Sequence, residues 1–303
     1  MKKVSVVIPT FKRPVMLVRA IESVLSQRYQ SIEIIVVDDN APDSDERVET
    51  QSLLRDFVAR GDIMYLLHPS NRGGSAARNT GWKNASGDFI TFLDDDDEIS
   101  PEKILRQVER LEELGDDWGA CYTAYHILMP DGRIQQSATT QEGDVYIRAL
   151  MRTLYVGSGS NVLYRKEVVD AVGGYDESFK RNQDIEFMAR CFERCKVAYV
   201  PEDLLTVHFE IRQFKRSFEF LDGVTIYYLE KFAPRIQALP ARDQHRVRSV
   251  ITLERFKLAV KRRRLLYGIG LLLKNGVRPS ELFKYLKYLR NRAKTGLSYG
   301  FYM

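Results

Sequence analysis

Residues 4–10 read Val-Ser-Val-Val-Ile-Pro-Thr, and this stretch decides the predicted fold. The apolar run is continuous from Val4 to Ile8, without the alternation of a half-exposed strand. Such a run is typical of a strand buried on both faces in a parallel sheet, and we expect it to end at Pro9. Residues 14–26 then repeat apolar side chains at helical spacing. This succession of strand and helix indicates an α/β fold.

The same alternation continues through the first hundred residues. Further strands are predicted at 32–37, 63–67 and 89–93, with helices at 45–60 and 75–84 between them. Such a rhythm predicts a mostly parallel, Rossmann-like sheet flanked by helices. Three of these strands end in polar or acidic residues, and ligands of such sheets bind outside the carboxyl ends of the strands. We therefore expect the chemistry at that edge.

The remainder of the chain is predicted in two parts. Ser100 and Pro101 have the spacing of a helix cap and a first helical residue, which predicts a helix over 101–114. Residues 118–165 are strand-like and rich in loops, helices are expected at 166–171 and 184–194, and a strand at 197–200. From about residue 215 the pattern is helical to the end. This predicts a helical C-terminal extension over 216–303.

Composition excludes several classes of protein. A hydrophobic fraction of 44% in 303 residues is that of a globular protein and excludes disorder. Three cysteines, Cys121, Cys191 and Cys195, show no disulfide framework and favour a reducing, cytoplasmic compartment. A strand within residues 1–10 predicts that there is no signal peptide. The longest apolar stretch, Leu265 to Leu273, is far shorter than the ~20 residues that cross a bilayer.

Charge is distributed unevenly along the chain. Residues 241–303 contain 16 Lys and Arg against three acidic residues, a net charge of +13. The whole chain carries +5, which leaves −8 for the other 240 residues. Basic amphipathic helices are predicted here, and they could bind an anionic membrane or pack as a lid with a solvated basic face. RNA binding is a third reading, but no RNA-binding motif supports it. We expect a peripheral protein on the inner face of the membrane and no nucleic-acid partner.

Four consecutive aspartates, Asp94 to Asp97, follow the strand predicted at 89–93. Neighbouring carboxylates repel one another unless a cation neutralises them. Oxygen ligands on a turn suit Mn²⁺ or Mg²⁺ that also bridges to substrate phosphates. The alternative is a solvated acidic turn that caps the next helix.

Two other segments are candidates for chemistry. Asp184 begins a predicted helix, where a carboxylate either caps the helix or acts as a general base toward an attacking hydroxyl. The glycine-rich segment from Asn71 to Asn79 leads into a helix and carries two arginines, Arg72 and Arg78. It could hold a phosphate group, or it could be a flexible loop.

Six segments, in this order, resemble the motifs of the family 2 glycosyltransferases. They are Val4 to Arg13, Ser23 to Gln27, Val36 to Asp39, Asn71 to Asn79, Phe92 to Asp96 and Gly173 to Glu177. The resemblance covers about residues 1–210. It implies a GT-A catalytic domain over 1–215, with a nucleotide-binding half at 1–100 and an acceptor half at 101–215.

The resemblance also implies roles for individual residues. Asp184 matches the catalytic base, although Gln183 stands before it where the family often has glutamate. Asp96 matches a metal ligand, and His208 lies where some relatives have a histidine near the diphosphate, though a structural histidine fits equally well. Residues matching positions that bind the nucleotide sugar are Pro9, Thr10, Arg13, Asp39, Gly74, Arg78, Asp94 and Asp95.

These assignments predict an inverting glycosyltransferase of the hexosyltransferase type. A single carboxylate base and no second nucleophile imply one displacement at the anomeric carbon, with a UDP-sugar as the donor most frequent in the family. The acceptor is expected to be a glycan or lipid-linked hydroxyl in surface polysaccharide synthesis. One alternative is a nucleotide-sugar-binding protein without turnover. Another is a nucleotidyltransferase, which the absence of glycine between Pro9 and Arg13 disfavours.

Overall fold

The computed structural model describes residues 1–209 and 216–303. It divides into two compact units. The first comprises residues 1–145 and 156–209, and the second comprises 146–155 and 216–303. The boundary predicted between residues 215 and 216 adjoins positions outside the described residues, and the predicted division of the first domain at residue 100 stays a prediction.

Nine strands are found among the described residues, and all belong to the first unit. They are β1 (Val4–Thr10), β2 (Ile32–Asp38), β3 (Met64–Leu67), β4 (Phe89–Phe92), β5 (Glu98–Ile99), β6 (Trp118–Leu128), β7 (Ile134–Gln136), β8 (Leu163–Arg165) and β9 (Lys196–His208).

Twelve α-helices are found in the described ranges. They are α1 (Pro14–Leu25), α2 (Asp45–Arg60), α3 (Gly74–Asn84), α4 (Lys103–Glu112), α5 (Tyr146–Leu150), α6 (Lys166–Val172), α7 (Gln183–Cys191), α8 (Phe218–Lys231), α9 (Ala233–Gln237), α10 (Ala241–Lys261), α11 (Leu265–Lys274) and α12 (Pro279–Thr295).

A single sheet organises the first unit, in the order β3-β2-β1-β4-β8-β6-β9-β5, with β7 paired to β6. Strands β1 to β4 run parallel to their neighbours within the set. Strand β8 is antiparallel to β4 and to β6, whereas β6 and β9 are parallel. Every residue of β1 is buried, as the continuous apolar run predicts. The predicted α/β class is confirmed.

The apolar run stops before Pro9, and strand β1 continues through Pro9 to Thr10. Val7 accepts a hydrogen bond from Leu93 on the β4 side, and Thr10 accepts one from Asp39 on the β2 side. Successive residues of a strand point to alternate neighbours, so Pro9 faces the β4 side. The β1–β4 ladder ends at Val7, and the missing N–H of Pro9 therefore leaves no bond unmade.

The predicted start of the fourth helix is also displaced. Helix α4 begins at Lys103, and Ser100 does not cap it. Instead the Ser100 N–H donates to Leu204 in β9, because residues 98–99 form the short strand β5 beside β9. Pairing with a distant strand thus outweighs the local capping preference.

The second unit is helical, and it includes the segment Tyr146–Tyr155. The Tyr228 hydroxyl donates to the Leu150 carbonyl at 3.1 Å, and Arg152 donates to the Thr225 hydroxyl at 3.1 Å. These contacts join the short helix α5 to α8. Among the described residues, no helix is both long and apolar enough to span a bilayer.

The Gly173-Gly174 turn after α6 fixes the neighbouring helix α3. Both glycines have positive φ, +72° and +75°. Asn79 accepts a hydrogen bond from the Tyr175 N–H at 2.7 Å and donates one to the Tyr175 carbonyl at 2.9 Å. A methyl group at Gly174 would lie 2.5 Å from Asn79 Oδ1 and 2.6 Å from the Trp82 ring, whereas one at Gly173 would meet open space.

We expect Gly174→Ala to destabilise the protein far more than Gly173→Ala. Both substitutions force an L-residue into left-handed backbone, which costs about 1–2 kcal/mol. Only Gly174→Ala also crowds a packed site, which adds about 1–3 kcal/mol. Urea denaturation of the two variants measures the difference. Equal free energies of unfolding would contradict the packing argument.

Candidate active site

The four aspartates that follow β4 each have different partners. Asp95 is buried and accepts hydrogen bonds from the Thr10 hydroxyl at 2.8 Å and from Arg13 Nη1 at 3.1 Å. Burial raises the pKa of the Asp95 carboxyl to about 6, although the Arg13 charge opposes the shift. Asp95 therefore ties the end of β1 to the end of β4.

Asp96 shares the same arginine. Arg13 Nη1 lies 2.7 Å from Asp96 Oδ2, and Arg19 donates to the Asp96 carbonyl at 2.9 Å. Both arginines come from the segment that follows β1, Arg13 directly before α1 and Arg19 within it. The first strand and helix thus supply the cations for this half of the acidic turn.

Asp94 forms an ion pair with Arg78 of α3. The Arg78 side chain is 11% exposed, its guanidinium lies 5.4 Å from the centre of the Tyr175 ring, and its Nε atom has no hydrogen-bond partner among the described residues. Burial lowers the pKa of Arg78, but the charge and hydrogen bond of Asp94, together with nearby Tyr175 and Asp184, outweigh it, so the pKa lies above its usual range. A methyl group at Gly74 would lie 2.9 Å from Arg78 Nη1, so glycine there leaves room for the guanidinium.

Asp184 lies in the first turn of α7, close to this ion pair. Burial raises the pKa of the Asp184 carboxyl, and the negative charge of Asp94 raises it further. The cap residue of α7 is Asn182, with φ +58°, and its side chain makes no capping hydrogen bond. A methyl group at Gly159 would lie 3.6 Å from the Asp184 Cβ atom. Asp184 therefore lies beside Gly159 and near a charged pair, and its carboxylate has a raised affinity for a proton.

The turn at residues 158–161 holds the acidic turn in place, and the sequence did not suggest it. Asp97 is buried and accepts hydrogen bonds from the Ser158 and Ser160 hydroxyls at 2.7 and 2.6 Å. The Ser160 hydroxyl also accepts from the Asp94 N–H at 3.0 Å. Burial, and next the Asp94 charge, raise the pKa of Asp97. These contacts join residues over 60 positions apart, so no local pattern announces them.

The side chain of Lys103 holds the turn at residues 158–161 in place. Its ammonium group is fully buried and donates to Gln107 at 3.0 Å and to the carbonyls of Ser160 and Asn161 at 3.2 and 3.1 Å. Burial lowers the pKa of Lys103 to about 7. The sequence contains an indication of this buried polar pair, because Lys103 and Gln107 interrupt the apolar face of α4 at a spacing of four residues.

Asp39 holds the glycine-rich loop. Its Oδ1 atom lies 2.7 Å from His68 Nδ1 and accepts from the Arg72 N–H at 2.8 Å. Its Oδ2 atom accepts from the Asn71 amide at 3.0 Å and from the Gly73 N–H at 2.8 Å. Each carboxylate oxygen therefore already has two partners. The predicted contact of Asp39 with a nucleoside stays a prediction.

The predicted metal ligands lie in different surroundings. Asp96 is on the acidic turn, whereas His208 ends β9 and its Nε2 atom lies 2.6 Å from Glu98 Oε1. Within residues 1–209 and 216–303, no group of three or more His, Cys, Asp or Glu side chains could hold a metal ion. Oxygen donors on the turn fit a hard cation that takes one or two protein carboxylates and completes its shell with phosphate oxygens and water.

The structure thus sorts the predicted residues into separate groups. One contains Arg78, Asp94, Gly74 and Asp184, and an adjoining group contains Thr10, Arg13, Asp95 and Asp96, with Pro9 in the strand that leads to it. Asp39 belongs to the loop at 71–73, and His208 pairs with Glu98. The carboxyl ends of β1, β2 and β4 supply most of these positions, as expected for a sheet of this kind.

Comparison with known families decides the classification. The family model described as Glycosyl transferase family 2 matches residues 5–173, which is more than half of the chain. The chain belongs to glycosyl transferase family 2. The match includes four of the six segments in full, the first segment from Ser5 onward, and only Gly173 of the last.

Relatives and solved structures agree with this family. Over 101 residues, the chain is 43% identical to the GalNAc(5)-diNAcBac-PP-undecaprenol beta-1,3-glucosyltransferase of Campylobacter jejuni, covering 33% of this chain and 31% of that protein. The structure of S. aureus TarS 1–349 in complex with UDP-GlcNAc superposes with a TM-score of 0.67 at 16% identity, covering 97% of this chain and 88% of that one.

A second solved structure has the same fold. The mannosyltransferase PcManGT from Pyrobaculum calidifontis, in complex with GDP-Man and Mn²⁺, gives a TM-score of 0.59 at 15% identity, covering 98% of this chain and 81% of that one. The predicted GT-A fold is confirmed. The chain spans about a third of the length of two curated relatives that it matches, one from Campylobacter jejuni and one from Rickettsia bellii.

The Thr10–Asp95 contact gives a stability prediction for this glycosyltransferase-family fold. We expect Thr10→Val to lower the free energy of unfolding by about 1–3 kcal/mol, because it leaves a buried carboxylate without one of its donors. Thr10→Ser keeps the hydroxyl and serves as the control, with a much smaller loss. Urea denaturation at neutral pH measures both. A Val variant as stable as the Ser variant would show that the hydrogen bond contributes little.

Proposed function

We propose that this protein is an inverting glycosyltransferase that moves a sugar from a nucleotide diphosphate, by preference a UDP-sugar, to an acceptor hydroxyl. The observation that carries the proposal is the grouping of Asp184 with the Arg78–Asp94 ion pair at the carboxyl edge of the sheet. A base, a buried cation and a carboxylate from separate segments lie close to one another there. Family membership supports the same class of reaction.

In this proposal Asp184 is the general base. Burial and the Asp94 charge raise the pKa of the Asp184 carboxyl. The ionised Asp184 carboxylate therefore accepts a proton more readily than an exposed aspartate does. As the acceptor hydroxyl attacks the anomeric carbon, its proton passes to the Asp184 carboxylate. The attack comes from the face opposite the leaving diphosphate, and the anomeric configuration is therefore inverted.

Basic groups at the same edge would bind the donor. The unsatisfied Nε of Arg78 is a hydrogen-bond donor with the positive charge that a diphosphate requires. Gly74 leaves space next to it, and Pro9, Thr10, Arg13, Asp39, Asp94 and Asp95 are proposed to complete the nucleotide-sugar site. The preference for UDP draws on the TarS structures, whose titles name UDP-GlcNAc and UDP as the bound molecules.

Asp96, with His208, would hold Mn²⁺ or Mg²⁺ together with the donor phosphates. When bound, such a cation supplies positive charge that stabilises the departing diphosphate. The PcManGT structure contains Mn²⁺ with its GDP-sugar, which supports the choice of metal. Arg13 beside Asp96 contributes positive charge to the same turn.

The acceptor is proposed to be a glycan or a lipid-linked glycan in surface polysaccharide synthesis. The name of the Campylobacter jejuni relative describes a glycan linked through diphosphate to undecaprenol, which supports a lipid-linked substrate. We therefore also propose that the protein works at the inner face of the membrane, as a peripheral protein. The basic C-terminal region supplies positive charge for such a location.

A donor-hydrolysis screen tests the proposed activity. Purified protein with Mn²⁺ or Mg²⁺ is offered UDP-, GDP- and dTDP-sugars, and the released nucleotide diphosphate is measured. We expect slow hydrolysis of one donor, reduced by about 10²–10⁴-fold in Asp184→Asn and Asp184→Ala and abolished in Asp96→Ala. Asp56→Ala, an exposed carboxylate of α2, is the matched control and keeps full activity.

Two results would contradict the proposal. Binding of a nucleotide sugar without any turnover, in the presence of either metal and a range of acceptors, would favour a non-catalytic binding protein. A product that retains the donor's anomeric configuration, read by NMR, would contradict the single displacement.

The glutamine before the base provides a pH test. Gln183→Glu places a second negative charge beside Asp184, so the pKa of Asp184 rises and the base is protonated at a higher pH. Since the base must be ionised, we expect the acid-side midpoint of kcat/KM to move up by about one pH unit. Gln183→Met has a similar size without the charge and should leave the midpoint in place. A downward shift in the glutamate variant would refute Asp184 as the titrating base.

A further inference from the structure

Helix α11 exposes its most apolar face. Leu266, Ile269 and Leu273 are 86%, 42% and 78% exposed, and they follow one another at spacings of three and four residues. This spacing places them on one side of the helix, where they form what we call the α11 stripe. Contiguous apolar surface of this kind marks a site of interaction with a partner or a membrane.

Polar contacts fix the orientation that exposes the stripe. The Tyr267 hydroxyl donates to Asp222 Oδ2 at 2.6 Å and accepts from Arg255 Nη2 at 2.9 Å. Arg255 itself forms two hydrogen bonds with the Asp222 carboxylate, at 2.7 and 2.9 Å. Turning the leucines inward would break this network, so their exposure is built into the second unit.

Close packing of α11 on α10, on the side opposite the α11 stripe, also keeps the stripe exposed. A methyl group at Gly268 would lie 3.0 Å from the Phe256 ring and 3.3 Å from the Ala259 Cβ atom. The absence of a side chain at Gly268 thus lets α11 approach α10 closely, with Leu271 buried on the same side. The helix is held by the face that carries Gly268, Tyr267 and Leu271, and the α11 stripe is left outside.

Positive charge surrounds the stripe. Lys261 and Arg263 precede α11, and Lys274 ends it, whereas the helix itself contains no acidic residue. Residues 255–303 contain 13 Lys and Arg and a single acidic residue, Glu281. Helix α12 also combines exposed apolar side chains with lysines. Phe283 and Leu286 are 70% and 49% exposed, and Lys284 and Lys287 follow them directly in the sequence.

We propose that α11 docks the protein on an anionic lipid bilayer, with the α11 stripe among the acyl chains and the flanking cations at the lipid phosphates. Ten residues of helix extend only about 15 Å, half of the ~30 Å hydrocarbon core, so α11 lies in the interface. A nucleic acid would match the cations but not the leucines, and a protein interface core is depleted of charge. This deepens the peripheral location included in the proposed function by naming the surface responsible.

Sedimentation with vesicles tests the docking surface on the full chain. Vesicles of equal parts phosphatidylglycerol and phosphatidylcholine are compared with vesicles of phosphatidylcholine alone. We expect the anionic vesicles to pellet the protein, and Leu266→Gln combined with Leu273→Gln to weaken this binding by about tenfold or more. The matched control, Val48→Gln with Val58→Gln, removes two exposed apolar side chains from α2 and should bind as the wild type does.

A second pair of variants tests the charges. Lys261→Glu with Lys274→Glu should weaken binding to the anionic vesicles by about tenfold or more, and salt should do the same. Arg55→Glu with Lys83→Glu changes the net charge equally on exposed positions of the first unit and should have little effect.

Other results would overturn the proposal. The first is that anionic vesicles do not bind the protein. The second is that the leucine variant binds them as strongly as the wild type. The third is that neutral vesicles bind the protein as strongly as anionic ones and that the charge reversal does not change this binding. Self-association that the leucine variant loses, without vesicle binding, would assign the stripe to a second copy of the chain. Donor hydrolysis is measured on the same preparations without vesicles. Binding with no hydrolysis refutes only the enzymatic proposal, and hydrolysis with no binding refutes only the docking surface.

Discussion

Four carboxylates in succession at the end of a buried strand repel one another, and the first unit is arranged around relieving that repulsion. Asp94 is paired with Arg78, Asp95 and Asp96 share Arg13, and Asp97 is held by two serine hydroxyls. These partners come from α3, from the end of β1 and from the turn before β8. Satisfying the acidic turn therefore draws distant segments to one edge of the sheet.

The same electrostatics set the properties of Asp184. Burial raises the pKa of Asp184, and the negative charge of Asp94, which Arg78 only partly offsets, raises it further. A donor diphosphate and a cation bound at this edge would change that balance. In the proposed function, the charge state of Asp184 would therefore depend on whether the proposed donor site is occupied.

The second unit differs from the first in which side chains its helix α11 exposes. Its helix α11 is attached through a tyrosine hydroxyl, a glycine contact and the buried Leu271, whereas the α11 stripe is exposed. In a helix that packs only to stabilise a core, apolar side chains would take the buried face. The exposed stripe is the arrangement that the proposed docking on a bilayer requires. The composition of residues 255–303, with one acidic residue, agrees with the negatively charged surface named in that proposal.

The sequence by itself determined the α/β class, the buried parallel strands, the family and the order of the motifs, because these depend on local periodicity and on residue types at fixed spacing. It misplaced the start of α4, where pairing between distant strands prevails over the local capping preference. Only the tertiary structure decided that Ser158, Ser160 and Lys103 support the acidic turn, and which face of α11 is exposed. The serine contacts and the exposed face of α11 rest on contacts between residues far apart in the chain, which leave no periodic signal in the sequence. For Lys103, the interruption of the apolar face of α4 was visible, but its partners in the turn were not.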